Sequence, residues 1–277
     1  MRVMLDNGIF SHSQFAEAAE GPQGPRFGVH NQHHLVYGFV RKKVDPNIEY
    51  QTQIDSLFTL GRLIREKRFE AFSYSELGYE SLNRIIGESV FNAMDHCKVT
   101  DCPPALWRSR FQRGNFFDFA RKGGKKDQKR GFRTELGQIP FMQMLCSLNE
   151  RGILSLLGMR AILDLTDFEV ESVRNLKCFQ QLCTISKSPE NFPDMFHLWT
   201  AQRNHIDVFL TLEKTLPEIA KKIDKSVEID IEYPTKVLRP VEFLKSVGIS
   251  NLDPVPIEPD RFYPFGEVWD SWQASCR

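Results

Sequence analysis

Residues 193–216 read PDMFHLWTAQRNHIDVFLTLEKTL, and this stretch indicates the fold class. An acid, Asp194, opens an apolar segment that predicts a helix over Asp194–Asn204. A polar turn follows, and then Val208–Leu212 forms a short apolar run typical of a buried strand. A helix that returns directly into a buried strand is the repeating unit of α/β proteins, so the stretch favours a mostly parallel sheet.

The same alternation of strand and helix runs through the rest of the chain. Predicted strands are Arg2–Leu5, Leu35–Arg41, Phe69–Tyr74 and Val227–Ile231. Predicted helices are Ser13–Ala19, Tyr50–Lys67, Ser75 to about Val90, Phe141–Arg160, Phe168–Leu176, Leu216–Ile223 and Val241–Val247. Cys178–Ser186 fits either a strand or the end of a helix.

The composition is that of a soluble globular protein. The 277 residues contain 36 Lys and Arg and 36 Asp and Glu, with 41% hydrophobic residues, which excludes wholesale disorder. No run approaches the roughly 18 apolar residues of a membrane helix, and the N-terminus lacks a signal-peptide core. Six cysteines are too few for a disulfide scaffold. We expect reduced thiols, a cytoplasmic protein and no membrane partner.

Positive charge is concentrated between residues 108 and 133, where ten basic residues face two acids. The ten are Arg108, Arg110, Arg113, Arg121, Lys122, Lys125, Lys126, Lys129, Arg130 and Arg133. Phenylalanines alternate with these cations, and cations with aromatic rings suit phosphate contact and base stacking. The segment therefore predicts nucleic-acid binding, with a solvated loop over packed phenylalanines as the alternative.

Four acids stand where predicted strands end or helices begin: Asp6, Glu80, Asp194 and Glu213. Ligands of parallel sheets bind outside the carboxyl ends of the strands, so these acids are expected at one edge. Clustered carboxylates repel one another unless a cation neutralises them, and oxygen ligands suit Mg²⁺ or Mn²⁺. Glu76 competes with Glu80 for the second position, and each acid alone could be a cap or a solvated residue.

Three segments together resemble the PIN-domain nuclease family. They are RVMLDNGIFS at residues 2–11, FEAFSYSELGYESL at residues 69–82, and the stretch at residues 193–216. The first resembles the family's opening strand that ends in Asp, and the third its late helix and strand followed by an acid. The middle segment resembles the strand and helix that deliver the second acid.

This resemblance implies a PIN-like α/β/α sandwich and a metal-dependent nuclease, which we expect to be an endoribonuclease. Asp6, Glu80, Asp194 and Glu213 would be the catalytic and metal-binding acids, with Mg²⁺ or Mn²⁺ as cofactor. Thr211 would hydrogen-bond within the site and Asn7 would orient Asp6. Glu213 stands where the family usually has Asp, and Asp207 is a possible substitute at the wrong end of its strand.

The chain is longer than a compact PIN domain, so we predict additions to it. Residues 1–91 and 161–232 would form the PIN-like core, 92–160 a basic and helical insertion, and 233–277 a Pro-rich C-terminal extension. RNA is the expected partner. Two alternatives stay open: a catalytically silent PIN-like module for binding or scaffolding, and a toxin-like RNase that a protein partner or inhibitor controls.

Overall fold

A five-stranded parallel sheet organises the molecule. The computed structural model describes residues 1–21, 37–77, 91–111, 138–224 and 233–264. The sheet has the order β5-β4-β1-β6-β7, and every neighbouring pair is parallel. Its strands are β1 (Arg2–Leu5), β4 (Glu70–Ser73), β5 (Val99–Asp101), β6 (Val208–Leu210) and β7 (Lys236–Leu238). The predicted α/β class and parallel central sheet are confirmed.

Alternation along the short strands separates two hydrophobic cores. Met4, Phe72 and Phe209 belong to one core, whereas Val3 and Leu5, which flank Met4 in β1, belong to the other. Successive side chains of a strand point to opposite faces, so each central strand contributes to both cores. The sheet is therefore covered on both faces, as an α/β/α sandwich requires.

Helices form the two outer layers. The layer that packs on Met4 and Phe209, here called the α8 layer, contains α3 (Gln138–Ser147), α4 (Glu150–Gly158), α5 (Arg160–Leu163), α6 (Asp167–Arg174), α7 (Leu176–Ser186), α8 (Phe192–Arg203) and α9 (Thr215–Asp224). The opposite layer, here called the α2 layer, contains α1 (Asn7–His12), α2 (Ile48–Arg65) and α10 (Pro240–Ser246). Among the described residues, no helix is long and apolar enough to cross a membrane.

A second, antiparallel sheet has the order β2-β3-β8. Its strands are β2 (Ala16–Glu20), β3 (Tyr37–Arg41) and β8 (Phe262–Pro264). The helix predicted over Ser13–Ala19 is wrong, because Ala16–Glu20 pairs along its whole length with β3. The Ala-rich composition favours a helix locally, and the long-range ladder overrides that preference.

One helix prediction is also corrected, and one open assignment is decided. The helix predicted over Phe141–Arg160 is interrupted, because α3 ends at Ser147 and Asn149 caps α4 by accepting a hydrogen bond from the Gly152 amide at 2.9 Å. Cys178–Ser186 is helical throughout and lies within α7. The five cysteines in the described part of the chain are free thiols, as predicted.

The predicted insertion and extension both contribute to the sandwich. Within 92–160, β5 forms one edge of the sheet, and Phe141 of α3 is buried in the α8 layer. After residue 232, β7 forms the other edge, and Phe243 of α10 packs edge-on against Phe69 at 5.2 Å between ring centroids.

Several predictions concern residues outside the described ranges. They are the helix beyond residue 77 with Glu80, the strand Val227–Ile231, the chain after residue 264, and the basic residues Arg113, Arg121, Lys122, Lys125, Lys126, Lys129, Arg130 and Arg133.

Candidate functional site

Asp6 and Thr211 form the centre of the site, at the carboxyl ends of β1 and β6. The Asp6 amide donates to the Leu210 carbonyl oxygen at 2.9 Å and so extends the ladder by one bond. The Thr211 hydroxyl donates to Asp6 Oδ2 at 2.8 Å and accepts from the Glu213 amide at 3.1 Å. Thr211 is buried, so its hydroxyl is held in place. The Asp6 carboxylate is therefore oriented by a side chain of the neighbouring strand.

The start of α1 packs closely beside Asp6. Asn7 is the first residue of α1 and is buried. A Cβ atom added to Gly8 would lie 3.4 Å from Asp6 Oδ2 and 3.9 Å from the Cβ atom of Leu212. Gly8 therefore leaves a space between Asp6 and Leu212 that a larger side chain would fill.

Asp194 lies at the same edge of the sheet, in the first turn of α8. At the other end of α8, the Asn204 carbonyl oxygen accepts from Arg2 Nη1 at 2.7 Å, where β1 begins. Since α8 is attached there to the amino edge and runs antiparallel to the strands, its first turn lies toward the carboxyl edge. The topology therefore gathers Asp6, Thr211 and Asp194 at one edge.

His197, one turn after Asp194, has a packing role. It is 3% exposed, and its Nδ1 is hydrogen-bonded to the hydroxyl of Tyr74, the residue that follows β4. Its ring stacks parallel to Phe209, with centroids 6.5 Å apart. These contacts tie α8 to two strands of the sheet and so position the turn that carries Asp194.

Glu76, the competitor for the second acidic position, is engaged in a buried ion pair. Its carboxylate accepts from Arg108 Nη2 at 3.1 Å and from Arg108 Nε at 3.3 Å. The two side chains are 3% and 7% exposed. A buried carboxylate held by an arginine fork is already neutralised, which leaves Glu80 as the candidate from this segment.

The first two cations of the basic segment, Arg108 and Arg110, each pair with a buried carboxylate of the sandwich. Arg108 pairs with Glu76, and Arg110 Nε donates to the fully buried Glu169 at 2.8 Å. Burial by itself would lower the pKa of Arg110, but the hydrogen bond to Glu169 raises this pKa above its ordinary value. Both guanidinium groups are engaged by carboxylates because the segment is rooted in the core at this point. The other eight cations of the segment lie outside the described residues.

Glu213 faces a different part of the edge from Asp194. It is exposed and lines an open cavity of about 520 Å³ together with Asn47 and Tyr50, at the start of α2. Asp194 is carried by the opposite helical layer. Among the described residues, no group of three or more His, Cys, Asp and Glu side chains is arranged to hold a metal ion. The fit to a divalent ion is therefore partial without Glu80.

Asp207 is placed at the amino edge, away from the site. Its carboxylate accepts from the Arg2 amide at 2.7 Å and from the Tyr233 hydroxyl at 2.5 Å. The hydrogen bond from Tyr233 lowers the pKa of Asp207, against the effect of burial. Asp207 therefore has a structural role that joins the start of β1 to the segment before β7.

The comparisons with known proteins found no match. No protein-family model, no curated protein and no solved structure matches this chain.

Two features near this edge were not predicted from the sequence. The Glu76–Arg108 pair joins residues 32 positions apart, and no local pattern marks it. Arg239 directly follows β7, as Asp6 follows β1. The rule that singles out acids at strand ends would have found Arg239 if it had also been applied to cations.

Proposed function

We propose that this protein is a metal-dependent nuclease of the PIN-like type, with RNA as its substrate. The observation that carries the proposal is the hydrogen bond from Thr211 to Asp6 at the point where the strand order reverses. From β1 the sheet continues through β4 to β5 on one side and through β6 to β7 on the other. Open parallel sheets bind their ligands in the crevice at such a switch point.

The helical layers support this location. The chain between β1 and β4 includes α2, which covers one face of the sheet. The helix that leads into β6 is α8, which covers the other face. The crevice between β1 and β6 therefore opens between the two layers. Asp6 and Asp194 border it, and Asp6 has its carboxylate held in a fixed orientation.

The acids suit a hard divalent cation. Asp6, Asp194 and Glu80 would hold Mg²⁺ or Mn²⁺, since carboxylate oxygens are the ligands that these ions prefer. Such an ion supplies activation of water and stabilisation of the leaving oxygen in phosphodiester hydrolysis. Within this chain, Thr211 holds Asp6 in orientation, and the basic segment rooted at Arg108 would supply phosphate contacts.

The test is cleavage of end-labelled single-stranded RNA and DNA by the wild type, Asp6→Asn and Asp194→Asn, each with Mn²⁺, Mg²⁺ or EDTA. We expect metal-dependent cleavage of RNA by the wild type and loss of cleavage in both variants. Asp167→Asn serves as the control, because Asp167 lies on α6 with its side chain 90% exposed and pairs with Arg160 at 2.6 Å. Metal-dependent cleavage that persists in Asp6→Asn would overturn the proposal.

A PIN-like module that binds RNA without cleaving it is the second candidate. It is favoured by the position of Glu213 beside α2 and by the incomplete acidic group among the described residues. Salt-sensitive RNA binding without cleavage under either metal would select this candidate over the nuclease.

A further inference from the structure

Arg239 is buried at the carboxyl end of β7 with unused hydrogen-bond donors. The residue is 6% exposed. Its Nη1 donates to Glu49 Oε1 at 2.5 Å. Nε and Nη2 are buried and have no hydrogen-bond partner among the described residues. The Glu49 carboxylate therefore accepts from only one of the three guanidinium nitrogens of Arg239.

Unsatisfied guanidinium donors in the interior call for an explanation. Buried donors are nearly always paired, and arginine cannot relieve the cost by losing its proton. The complement of an arginine fork is a group with several acceptor oxygens in one place, such as a carboxylate or a phosphate. A group of this kind would complement the Arg239 donors that have no partner among the described residues.

The cavity beside Arg239 contains further cations. Its volume is about 320 Å³, and Lys214 and Lys221 also line it. The exposed carboxylates Glu218 and Glu242 line the same cavity and would repel an anion. A volume of this size is near the lower end for small-molecule sites and is ample for one phosphate group with its ester carbons.

Glu49 occupies the position that an anion would take. Its Oε2 accepts from Lys214 Nζ at 2.7 Å, while its Oε1 accepts from Arg239. These hydrogen bonds, first from Lys214 and then from Arg239, lower the pKa of Glu49. The Glu49 side chain is 59% exposed and belongs to the first turn of α2, so it can rotate into solvent without disturbing the core.

We propose that Arg239, Lys214 and Lys221 form a phosphate-binding site, and that Glu49 competes with the bound phosphate for the same two cations. The source of the phosphate rests on the proposed function: it is a phosphate of the nucleic-acid strand whose scissile bond lies near Asp6. Lys214 also lines the cavity that contains Leu212 and Glu213, so the two cavities share this side chain. A strand that crosses the carboxyl edge would place one phosphate at Asp6 and another at Arg239.

The experiment measures binding without cleavage, on the full chain in EDTA. The probe is a fluorescent single-stranded RNA, with a 5′-phosphate or a 5′-hydroxyl, followed by anisotropy and by competition with inorganic phosphate. We expect Glu49→Gln to tighten binding several-fold, because it removes the competing charge. Lys214→Gln should weaken binding several-fold. It should also make the plot of log affinity against log salt concentration less steep, by the amount expected for the loss of about one phosphate contact.

Glu150 and Lys177 provide the matched control. They form an exposed ion pair at 2.9 Å between α4 and α7. Glu150→Gln and Lys177→Gln make the same charge changes as the test variants, and we expect no change in RNA affinity from either. Equal effects in the control pair would assign the result to net charge and overturn the site.

The outcomes separate this site from the proposed nuclease. Tighter binding in Glu49→Gln with phosphate competition supports the site even if no cleavage is found. Tighter binding of the 5′-phosphorylated RNA identifies a terminal phosphate, whereas equal binding of both RNAs identifies an internal one. Cleavage by the wild type together with unchanged affinity in Glu49→Gln and Lys214→Gln would refute the site and leave the nuclease standing.

Discussion

Thr211 and Asp6 are 205 positions apart in the chain, and their side chains meet at 2.8 Å. The contact follows from strand register, because Leu5 pairs with Leu210 and the next residue of each strand is the one that carries the polar group. A shift of one residue would bring an apolar side chain beside Asp6 and turn Thr211 to the other face. The register of β1 and β6 therefore decides the chemistry of this edge.

Replacing Thr211 tests this orienting contact. Thr211→Val keeps the shape but removes both the donor to Asp6 and the acceptor for the Glu213 amide. If Asp6 acts as proposed, cleavage should fall by roughly 10- to 100-fold, as is typical when a partner of a site carboxylate is lost. Thr211→Ser retains the hydroxyl and should stay within a few-fold of the wild type. Full activity in the valine variant would show that the hydrogen bond is dispensable.

The buried Glu76–Arg108 pair should behave as a coupled unit. Removing one partner leaves an unpaired buried charge, so Glu76→Leu or Arg108→Met should each lower the free energy of unfolding by about 3–5 kcal/mol. The double variant should be destabilised much less than the sum of the two. Urea unfolding of the four proteins measures the coupling, and additive losses would contradict it.

Gly61 is required by a close approach within the α2 layer. A Cβ atom at this position would lie 1.9 Å from the Ala93 carbonyl oxygen and 2.8 Å from its carbon. Gly61→Ala should therefore destabilise the fold by about 1–3 kcal/mol or more, as overpacking does.

Gly158 is the control, because nothing lies within 4 Å of a Cβ atom added there. Gly158→Ala should be neutral or stabilising, since alanine favours the helix. Thermal unfolding of both variants checks the difference. Equal melting temperatures would mean that the chain near Ala93 moves aside at no cost.

The Tyr233–Asp207 hydrogen bond should make stability depend on pH. The bond lowers the pKa of Asp207. Its contribution to the free energy of unfolding is therefore complete above the ordinary aspartate pKa of about 3.9, and it is lost as the pH falls through the lowered pKa of Asp207. The bond raises the pKa of Tyr233, so the contribution is also lost as pH rises through that raised value, above about 10.

Tyr233→Phe removes the bond at every pH. The wild type should therefore be more stable than this variant at about pH 7, and the difference should narrow both in acid and in alkali. Urea midpoints at about pH 3, 7 and 11 measure it. A difference that stays constant over this range would assign the effect of the substitution to packing.

Local patterns predicted the three central strands of the parallel sheet, whereas its edge strands β5 and β7 were not predicted. Arg2–Leu5 and Val208–Leu212 read as buried strands, and Asp194–Asn204 reads as a helix, because apolar spacing reports burial directly. The short turn between α8 and β6 also made the unit recognisable. From these elements the parallel sheet and the edge with Asp6, Asp194 and Thr211 could be predicted.

Long-range pairing decided the rest. Residues 16–20 have helix-forming side chains and became a strand because β3 supplied its hydrogen bonds. The fates of Arg108 and Arg110 depended on Glu76 and Glu169, which lie 32 and 59 positions away. A charged residue has the same appearance in a sequence whether a carboxylate, a phosphate or water will surround it.

The sequence by itself determined the α/β class, the order of most helices and strands, and the acids that follow β1 and open α8. The tertiary structure alone decided which charges are neutralised inside the protein and which retain unused bonding capacity. Apolar periodicity is a local property of the chain, whereas the partner of a charge is set by distance between remote segments. Arg239 depends on that second kind of information, since only the structure shows that it is buried beside Glu49 with two donors that have no partner among the described residues.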